Sequence, residues 1–352
     1  AIAAATGHDE HSVTLFPMPA GGSFGIGLDH SAAVQAAVIA DTVQRPVQLV
    51  WSRAEEIMRD LPRPPAAAHL TASLNSAGGI DALAVKIAAP STTHEVRDRL
   101  LSNTRPAAAQ AAAAGRSDAG AVVGALPPYA IPHVAVDHYP ADIGLPTGRW
   151  RGNADSYTAF FVESFVDELA SRAGSDPLSY RMGMLSGAPE LARCLITATT
   201  LGGWEGGGAG TSQGIACHSM RGSHIAVLAE AMMTADGLRV IRLVAAADCG
   251  RIVNPAITRQ QLEGGLIFGL AAAAGTTTDY RGGVADARRL AQLGLLRLSH
   301  CPEITIELVD SDREPGGIGE LAVPVVAPAI ANALFAGSGK RIRRLPLSPG
   351  PS

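Results

Sequence analysis

Two glycine-rich turns near opposite ends of the chain carry the residues with the clearest chemical potential: Gly21-Gly22-Ser23-Phe24-Gly25 and Pro315-Gly316-Gly317-Ile318-Gly319-Glu320. Glu320 is a lone carboxylate just ahead of an apolar, helix-like run, a placement suited to proton transfer. Glycines at 316, 317 and 319 permit close approach of backbone to a ligand. Gly21, Gly22 and Gly25 permit a backbone that turns its amides outward ahead of a helix, a nest for an oxyanion or a metal-oxo group. Together the turns point to a cofactor-dependent redox enzyme in which backbone amides hold the cofactor and Glu320 is the base.

Other residues admit both a chemical and a plain reading. Arg151, in Gly148-Arg149-Trp150-Arg151-Gly152, can hold an anion or stabilise charge building on a substrate oxygen, or it is a surface arginine. Gln260 and Gln261, ahead of Glu263-Gly264-Gly265, have amides able to pair with a pterin or nucleotide edge, or they are solvated helix positions. Gly21 to Gly25 also spells G-x-S-x-G, the nucleophile elbow of serine hydrolases. That rival makes Ser23 the nucleophile with partners such as Asp248 and His300, although Pro17 and Pro19 crowd the sharp turn it needs. His8 and His11 are spaced i, i+3 near the chain start, and no histidine spacing makes a metal site. Cys194, Cys217, Cys249 and Cys301 lie far apart without a CxxC pair, so neither a zinc knuckle nor an iron-sulfur cluster is read from them. If electrons move here, their next carrier is elsewhere. The run Lys340-Arg341-Ile342-Arg343-Arg344 suits a phosphate or a solvated surface.

The elements that must position these groups form a mixed α/β pattern. Val13 to Phe16 reads as a strand, residues 17 to 27 as a loop, and Asp29 or Ser31 caps a helix to about Gln44. Val47 to Trp51 reads as another strand and Ala54 to Arg59 as a short helix. Residues 69–74 and 80–88 make a hairpin, 103–128 a loop with some helix, and Tyr129 to Tyr139 an extended segment. From Ser156, Phe160, Phe161, Phe165, Val166 and Leu169 fall on helical spacing, and Asp176-Pro177 starts a further helix towards Leu185. Ala235-Asp236-Gly237 turns a second hairpin, 225–234 with 238–247. Pro255 opens a helix to Leu270, Glu303 to Val309 alternates as a strand, and Val323 to Phe335 is a small-residue helix ended by Gly337 or Gly339.

At 352 residues the chain is longer than one compact core usually holds, so two subdomains are expected. The glycine-dense segment 202–212 is the boundary between a first unit, 1–201, and a second, 213–352, which carries the base. The net charge of −4 with scattered signs gives no basic stripe for nucleic acid. No apolar run reaches the roughly 20 residues a bilayer span needs, so a soluble protein is expected, cytoplasmic or periplasmic.

In their joint order these segments resemble the molybdenum-binding large subunits of the xanthine oxidase family, most closely the isoquinoline 1-oxidoreductase beta-subunit and aldehyde oxidoreductase branch. The resemblance rests on Gly21 to Gly25, Val47 to Asp60, Trp150-Arg151 with Phe160 to Ala170, Asp176-Pro177-Leu178, Asp248-Cys249-Gly250 with Asn254-Pro255, Gln260 to Gly265, and Gly316 to Glu320 with Ala327 to Pro346. It implies a molybdopterin-binding α+β fold of two subdomains around the cofactor. It places the Gly22-Ser23-Phe24-Gly25 backbone against the metal's oxo ligand and the pterin, Arg151 near metal and substrate, Gln261 and Gly319 at the cofactor, and Glu320 as general base. The reaction it implies is hydroxylation of an aldehyde or N-heterocycle with water as oxygen source. The implied cofactor is a molybdopterin cytosine dinucleotide, with electrons leaving to [2Fe-2S] clusters on a small partner subunit. Ser23 and Gly27 stand where the family has a third glycine and a basic residue, and Leu28 stands where purine-oxidising relatives carry a substrate-binding acid. Purines are therefore disfavoured as substrates. The chain resembles only the C-terminal half of the usual large subunit, so the N-terminal half is expected to travel as a partner chain or to have been cut away. The remaining alternative is a noncatalytic relative that keeps the scaffold.

Overall fold

The computed structural model describes residues 1–19, 21–207 and 210–347. The expected boundary segment, 202–212, therefore includes two residues outside the described ones, Gly208 and Ala209. The chain opens with helices α1 (Ile2–Thr6), α2 (Ser31–Val43) and α3 (Arg53–Arg59). A three-stranded sheet follows from β1 (Ala67–Leu74), β2 (Ile80–Ala89) and β3 (His133–Pro140), with α4 (Thr92–Ser102) and α5 (Pro106–Ala113) inserted before β3. Three helices come next, α6 (Asp155–Arg172), α7 (Pro177–Met182) and α8 (Pro189–Gly202). The second half holds β4 (Gln213–Met220), β5 (Ser223–Thr234), β6 (Gly237–Asp248), α9 (Pro255–Ala274), the two-residue strands β7 (Tyr280–Arg281) and β8 (Val284–Ala285), β9 (Glu303–Leu308) and α10 (Val326–Ser338).

The two larger sheets share a pattern. β1 and β2 pair antiparallel and β3 joins β2 in parallel; in the order β4-β5-β6-β9, β4, β5 and β6 are antiparallel and β9 joins β6 in parallel. Both expected hairpins are present, and Asn75 closes the first by accepting from the Ala77 and Gly79 amides. Asp176 and Asn254 cap α7 and α9 by accepting from the Ser179 and Ile257 amides, as Asx residues before proline do.

The four-stranded sheet is buried on both faces. Ile225, Val227 and Ala229 with Leu243, Ala245 and Ala247 pack into one core beside α9 and α10. The alternate residues Ala226, Leu228, Val244 and Ala246 pack into a second core with β2, α6 and α8. A strand covered on both sides shows no polar alternation, which is why β4 carried no strand signal in the sequence. Two expected strands are absent. Val13 to Phe16 and Val47 to Trp51 pair with no strand, and Leu15, Phe16 and Val50 stand exposed, because these segments lie on the surface beside no sheet edge.

One buried ionic network ties the helices to the sheet. Arg181, fully buried on α7, donates to Glu163 at 3.1 Å and Asp167 at 3.4 Å on α6. Burial alone would push its guanidinium down, but the flanking carboxylates outweigh that and hold it protonated. Glu163 also accepts from the Tyr129 hydroxyl at 2.6 Å and the Cys217 amide of β4 at 3.0 Å, and Arg341 reaches Asp167 from the C-terminal segment at 2.6 Å. Burial pushes the Cys194 thiol up to about 12 and the Cys249 thiol up to about 11, so both are packing groups rather than nucleophiles. Glu163→Ala removes the closer of the two carboxylates that pair with the buried Arg181 and should cost about 3–5 kcal/mol, read as a lowered urea midpoint, whereas Arg341→Ala, whose acceptor keeps Arg181, should cost less.

Candidate functional site

Arg151 is the hub at which distant segments meet. It sits in the tight turn between β3 and α6, 9% exposed. Its Nε donates to the Gly319 carbonyl at 2.5 Å, and its Nη2 donates to the Gln261 carbonyl at 2.8 Å and to the Gln261 Oε1 at 3.2 Å. Its own amide donates to the Phe24 carbonyl at 3.0 Å, and its guanidinium lies 5.7 Å from the Phe24 ring centroid. One side chain thus joins the first glycine turn, α9 and the second glycine turn. Burial pushes this guanidinium below the usual arginine range, and the Glu320 charge offsets that only in part.

The backbone around Arg151 is held from beneath by Arg63. Its Nη2 donates to the Arg151 carbonyl at 2.9 Å, its Nη1 to Ser156 Oγ at 2.8 Å, and its guanidinium packs 5.8 Å from the Trp150 ring centroid. Burial pushes Arg63 down to about 10, with Glu320 and Tyr157 pulling the other way. Trp150 donates to the Leu61 carbonyl at 2.8 Å, so this turn is anchored at two consecutive residues.

The glycine loop approaches the same turn closely. At Gly25, φ is 121° and an added Cβ would lie 1.6 Å from the Arg149 carbonyl oxygen, so no other residue fits there. Phe24 takes the left-handed conformation at φ 52° and stacks on Phe268 of α9 with centroids 5.8 Å apart and planes 9° apart. The Phe24 ring is therefore flanked by Arg151 and Phe268. Trp150 completes the cluster 6.4 Å from Phe268.

Glu320, 22% exposed, is held at both oxygens. Oε1 accepts from Asn153 Nδ2 at 2.9 Å. Oε2 is itself shielded from solvent and lies 2.7 Å from Arg221 Nη2, an ion pair without hydrogen-bond alignment. Among the residues the sequence singled out, Phe24, Gln261 and Gly319 contact Arg151 directly, Gly25 packs against the neighbouring Arg149, and Glu320 acts on Arg151 through its charge. Gly22 and Ser23 lie on the same loop, but Ser23 lines an adjoining cavity of about 630 Å³ whose walls also include Phe24, Leu28, Trp150 and Phe268. That cavity reaches neither Arg151 nor Glu320; the aromatic cluster forms the wall between them. Sequence reasoning missed Arg63, Asn153, Arg221 and Phe268. Only Asn153 had a local signal, an asparagine after Gly152 where positive φ is tolerated.

The serine-hydrolase alternative finds no geometry. Among the described residues no strand precedes Ser23, and α2 begins only at Ser31, after a short 3-10 turn. Asp248 is fully buried and engaged by Arg313 at 2.7 Å, Arg193 at 3.1 Å and the Gly250 amide, while His300 lies in an exposed turn. Among the described residues no group of three or more His, Cys, Asp or Glu side chains could hold a metal ion.

Comparison with known proteins decides the family. A family model for the molybdopterin cofactor-binding domain matches residues 1–184, and a second model of the same description matches residues 209–302. The chain belongs to the molybdopterin cofactor-binding domain family. It is 29% identical over 336 residues to the beta subunit of isoquinoline 1-oxidoreductase from Brevundimonas diminuta, covering 94% of this chain and 42% of that protein. It is 26% identical over 366 residues to a nicotinate dehydrogenase subunit of Pseudomonas putida, covering 97% of this chain and 30% of that protein. The chain thus spans less than half the length of these curated relatives. Among solved structures, quinoline 2-oxidoreductase from Pseudomonas putida 86 superposes with TM-score 0.75 at 12% identity over 93% of this chain and 66% of that one. Aldehyde oxidoreductase from Desulfovibrio gigas superposes with TM-score 0.67 at 15% identity over 93% and 53%. These two share the fold. The expected resemblance to molybdopterin-binding large subunits, and the mixed α and β architecture that goes with it, hold.

The hub makes a direct prediction. Arg151→Met keeps most of the side-chain volume but leaves the Gly319 and Gln261 carbonyls without their donor, so it should cost about 2–4 kcal/mol, measured as a lowered denaturant midpoint at constant slope.

Proposed function

We propose that this chain is the molybdopterin-binding part of a molybdenum hydroxylase that oxidises an aldehyde or N-heterocycle with water as oxygen source. The observation that supports the reading is the Arg151 hub, which ties Phe24 of the first glycine loop and Gly319, the neighbour of Glu320, to one turn within a chain of this family. The residues fit the cofactor. At Gly25 a side chain would collide with backbone, so the loop runs bare and can present peptide amides, and the Gln261 amide lies on α9 beside Arg151. We assign Gly22, Ser23, Phe24, Gly25, Gln261 and Gly319 to holding the cofactor, Arg151 to orienting it and the substrate, and Glu320 to base catalysis. When bound, the cofactor supplies the redox centre and the activated oxygen.

The chain's own part is proton handling and positioning. Glu320 takes up the proton released as oxygen is delivered to the substrate carbon, and Asn153 keeps its carboxylate aimed. Arg151 places fixed positive charge where negative charge builds on a substrate oxygen, in a site whose partial burial strengthens that interaction. The adjoining cavity lies across the aromatic cluster from Arg151 and Glu320, so a ring lodged there stands apart from the base. With Leu28 where purine-oxidising relatives carry an acid, purines are poor candidates.

The remaining assignments extend the same reading. The cofactor carries a cytosine dinucleotide, and electrons pass to [2Fe-2S] clusters on a small partner subunit. The polypeptide corresponding to the N-terminal half of the relatives covers the surface on which Leu15, Phe16, Met18 and the α2 residues Val38, Ile39 and Val43 stand exposed; α2 has no buried residue. No helix among the described residues is long and apolar enough to cross a membrane. The test uses the assembled enzyme. Molybdenum should be stoichiometric, aldehydes or N-heterocycles should reduce a dye, and Glu320→Gln should lower kcat by about 10² to 10⁴-fold with molybdenum content unchanged. Full turnover in that variant would remove Glu320 from the role.

A further inference from the structure

The tip of the β4–β5 hairpin is Arg221-Gly222, and both residues take positive φ, 50° and 77°. A two-residue turn of this kind favours asparagine or glycine at its first position, because a long side chain is strained in the left-handed conformation. Of the six non-glycine residues with positive φ among the described residues, Gln44 and Asn103 end helices in the usual way. Of the other four, Phe24, Asn153 and Arg221 all belong to the site around Glu320. An arginine kept at a strained turn position, with its guanidinium 2.7 Å from the site's carboxylate, calls for a reason beyond folding.

The second glycine turn is built to receive this tip. The Gly317 amide donates to the Arg221 carbonyl at 2.9 Å. A Cβ at Gly316 would lie 2.8 Å from the Gly222 backbone, and one at Gly317 would lie 3.0 Å from Arg221 Cβ. Those two glycines therefore admit the hairpin, and the hairpin delivers a cation to the acid three residues further on.

We propose that Arg221 is a positioning residue that aims the Glu320 carboxylate by fixing its Oε2 side, as Asn153 fixes Oε1. This rests on the reading of Glu320 as the base. Three cations act on that carboxylate: Arg221 by direct contact, and Arg151 and Arg63 by longer-range attraction, while Asn153 contributes a neutral donor and α9 presents the neutral Gln261 to Arg151. Arg63 and Arg151 are bound into the backbone of the site. The Arg221 side chain is 60% exposed, so it can be removed without opening a core. Open to solvent on one side, it can also swing away as substrate arrives, freeing Oε2 to take a proton while Asn153 keeps Oε1 in place.

The experiment compares kcat and KM for Arg221→Gln, Arg221→Gly and Arg221→Lys in the assembled enzyme. Loss of the ion pair leaves the carboxylate held only through Oε1, so kcat should fall by about tenfold with KM little changed in the Gln and Gly variants and stay near the parent value in the Lys variant. Arg221→Gly should also melt no lower than the parent, since glycine accepts this φ freely; the kinetic effect is then separate from folding. An independent readout is the infrared carboxylate band that disappears in Glu320→Gln, whose frequency should shift in the Gln and Gly variants and not in the Lys variant. An unchanged kcat and band in both Gln and Gly variants, or equal changes in the Lys variant, overturns the proposal. If Glu320→Gln keeps full turnover, the base reading fails instead, and the infrared band alone still decides whether Arg221 positions that carboxylate.

Discussion

A single buried guanidinium cannot be left without acceptors, and in this chain that requirement organises the site. Arg151 satisfies its donors with carbonyl and amide oxygens from Gly319 and Gln261, contributed by segments more than a hundred residues away in sequence. Neutral acceptors leave its charge uncompensated. The nearest acid, Glu320, is close enough to be felt and is held apart by its own partners, Asn153 and Arg221. The site therefore keeps a net cationic lining around one carboxylate, a field suited to anionic cofactor groups and to charge appearing on a substrate oxygen.

Such a site demands rigid support, and the supports are visible. Arg63 braces the turn that carries Arg151 and Asn153. The Glu163–Arg181–Asp167 network fixes α6, which begins two residues after Asn153, against α7 and β4. Away from helix ends, positive φ at non-glycine residues falls at Ser212 and at Phe24, Asn153 and Arg221, and at the last three a side chain is aimed rather than merely packed. Elsewhere the chain obeys ordinary rules of capping, alternation and burial.

Those ordinary rules are also what made much of the fold legible. α6, α9, both hairpins, β9 and α10 follow from periodicity, caps and an Asp-Gly turn, and all are present within a few residues of their expected limits. α8 and β4 were not legible. β4 is small-residue and covered on both faces, so neither period appears, and the partly exposed apolar runs 13–16 and 47–51 mimic strands because nothing in local sequence says whether a sheet edge is near. In the site, Glu320, Arg151 and Gln261 stood out through neighbouring glycines and the ordered likeness to a family. Arg221 and Arg63 could not, since an arginine's reach is decided by which loop folds beside it. The glycines at 316 and 317, read from sequence as room for a ligand, also make room for the chain's own hairpin.

The four-stranded sheet has a consequence for how the molecule divides. Its faces are shared: α9 and α10 lie against one, while α6 and α8, from the other half of the sequence, lie against the opposite one. Cutting between the two family-matched stretches would strip an apolar sheet face of its cover and leave each fragment sticky and half-built. The two stretches are therefore not interchangeable modules, and the polypeptide should be inherited, expressed and lost as a piece.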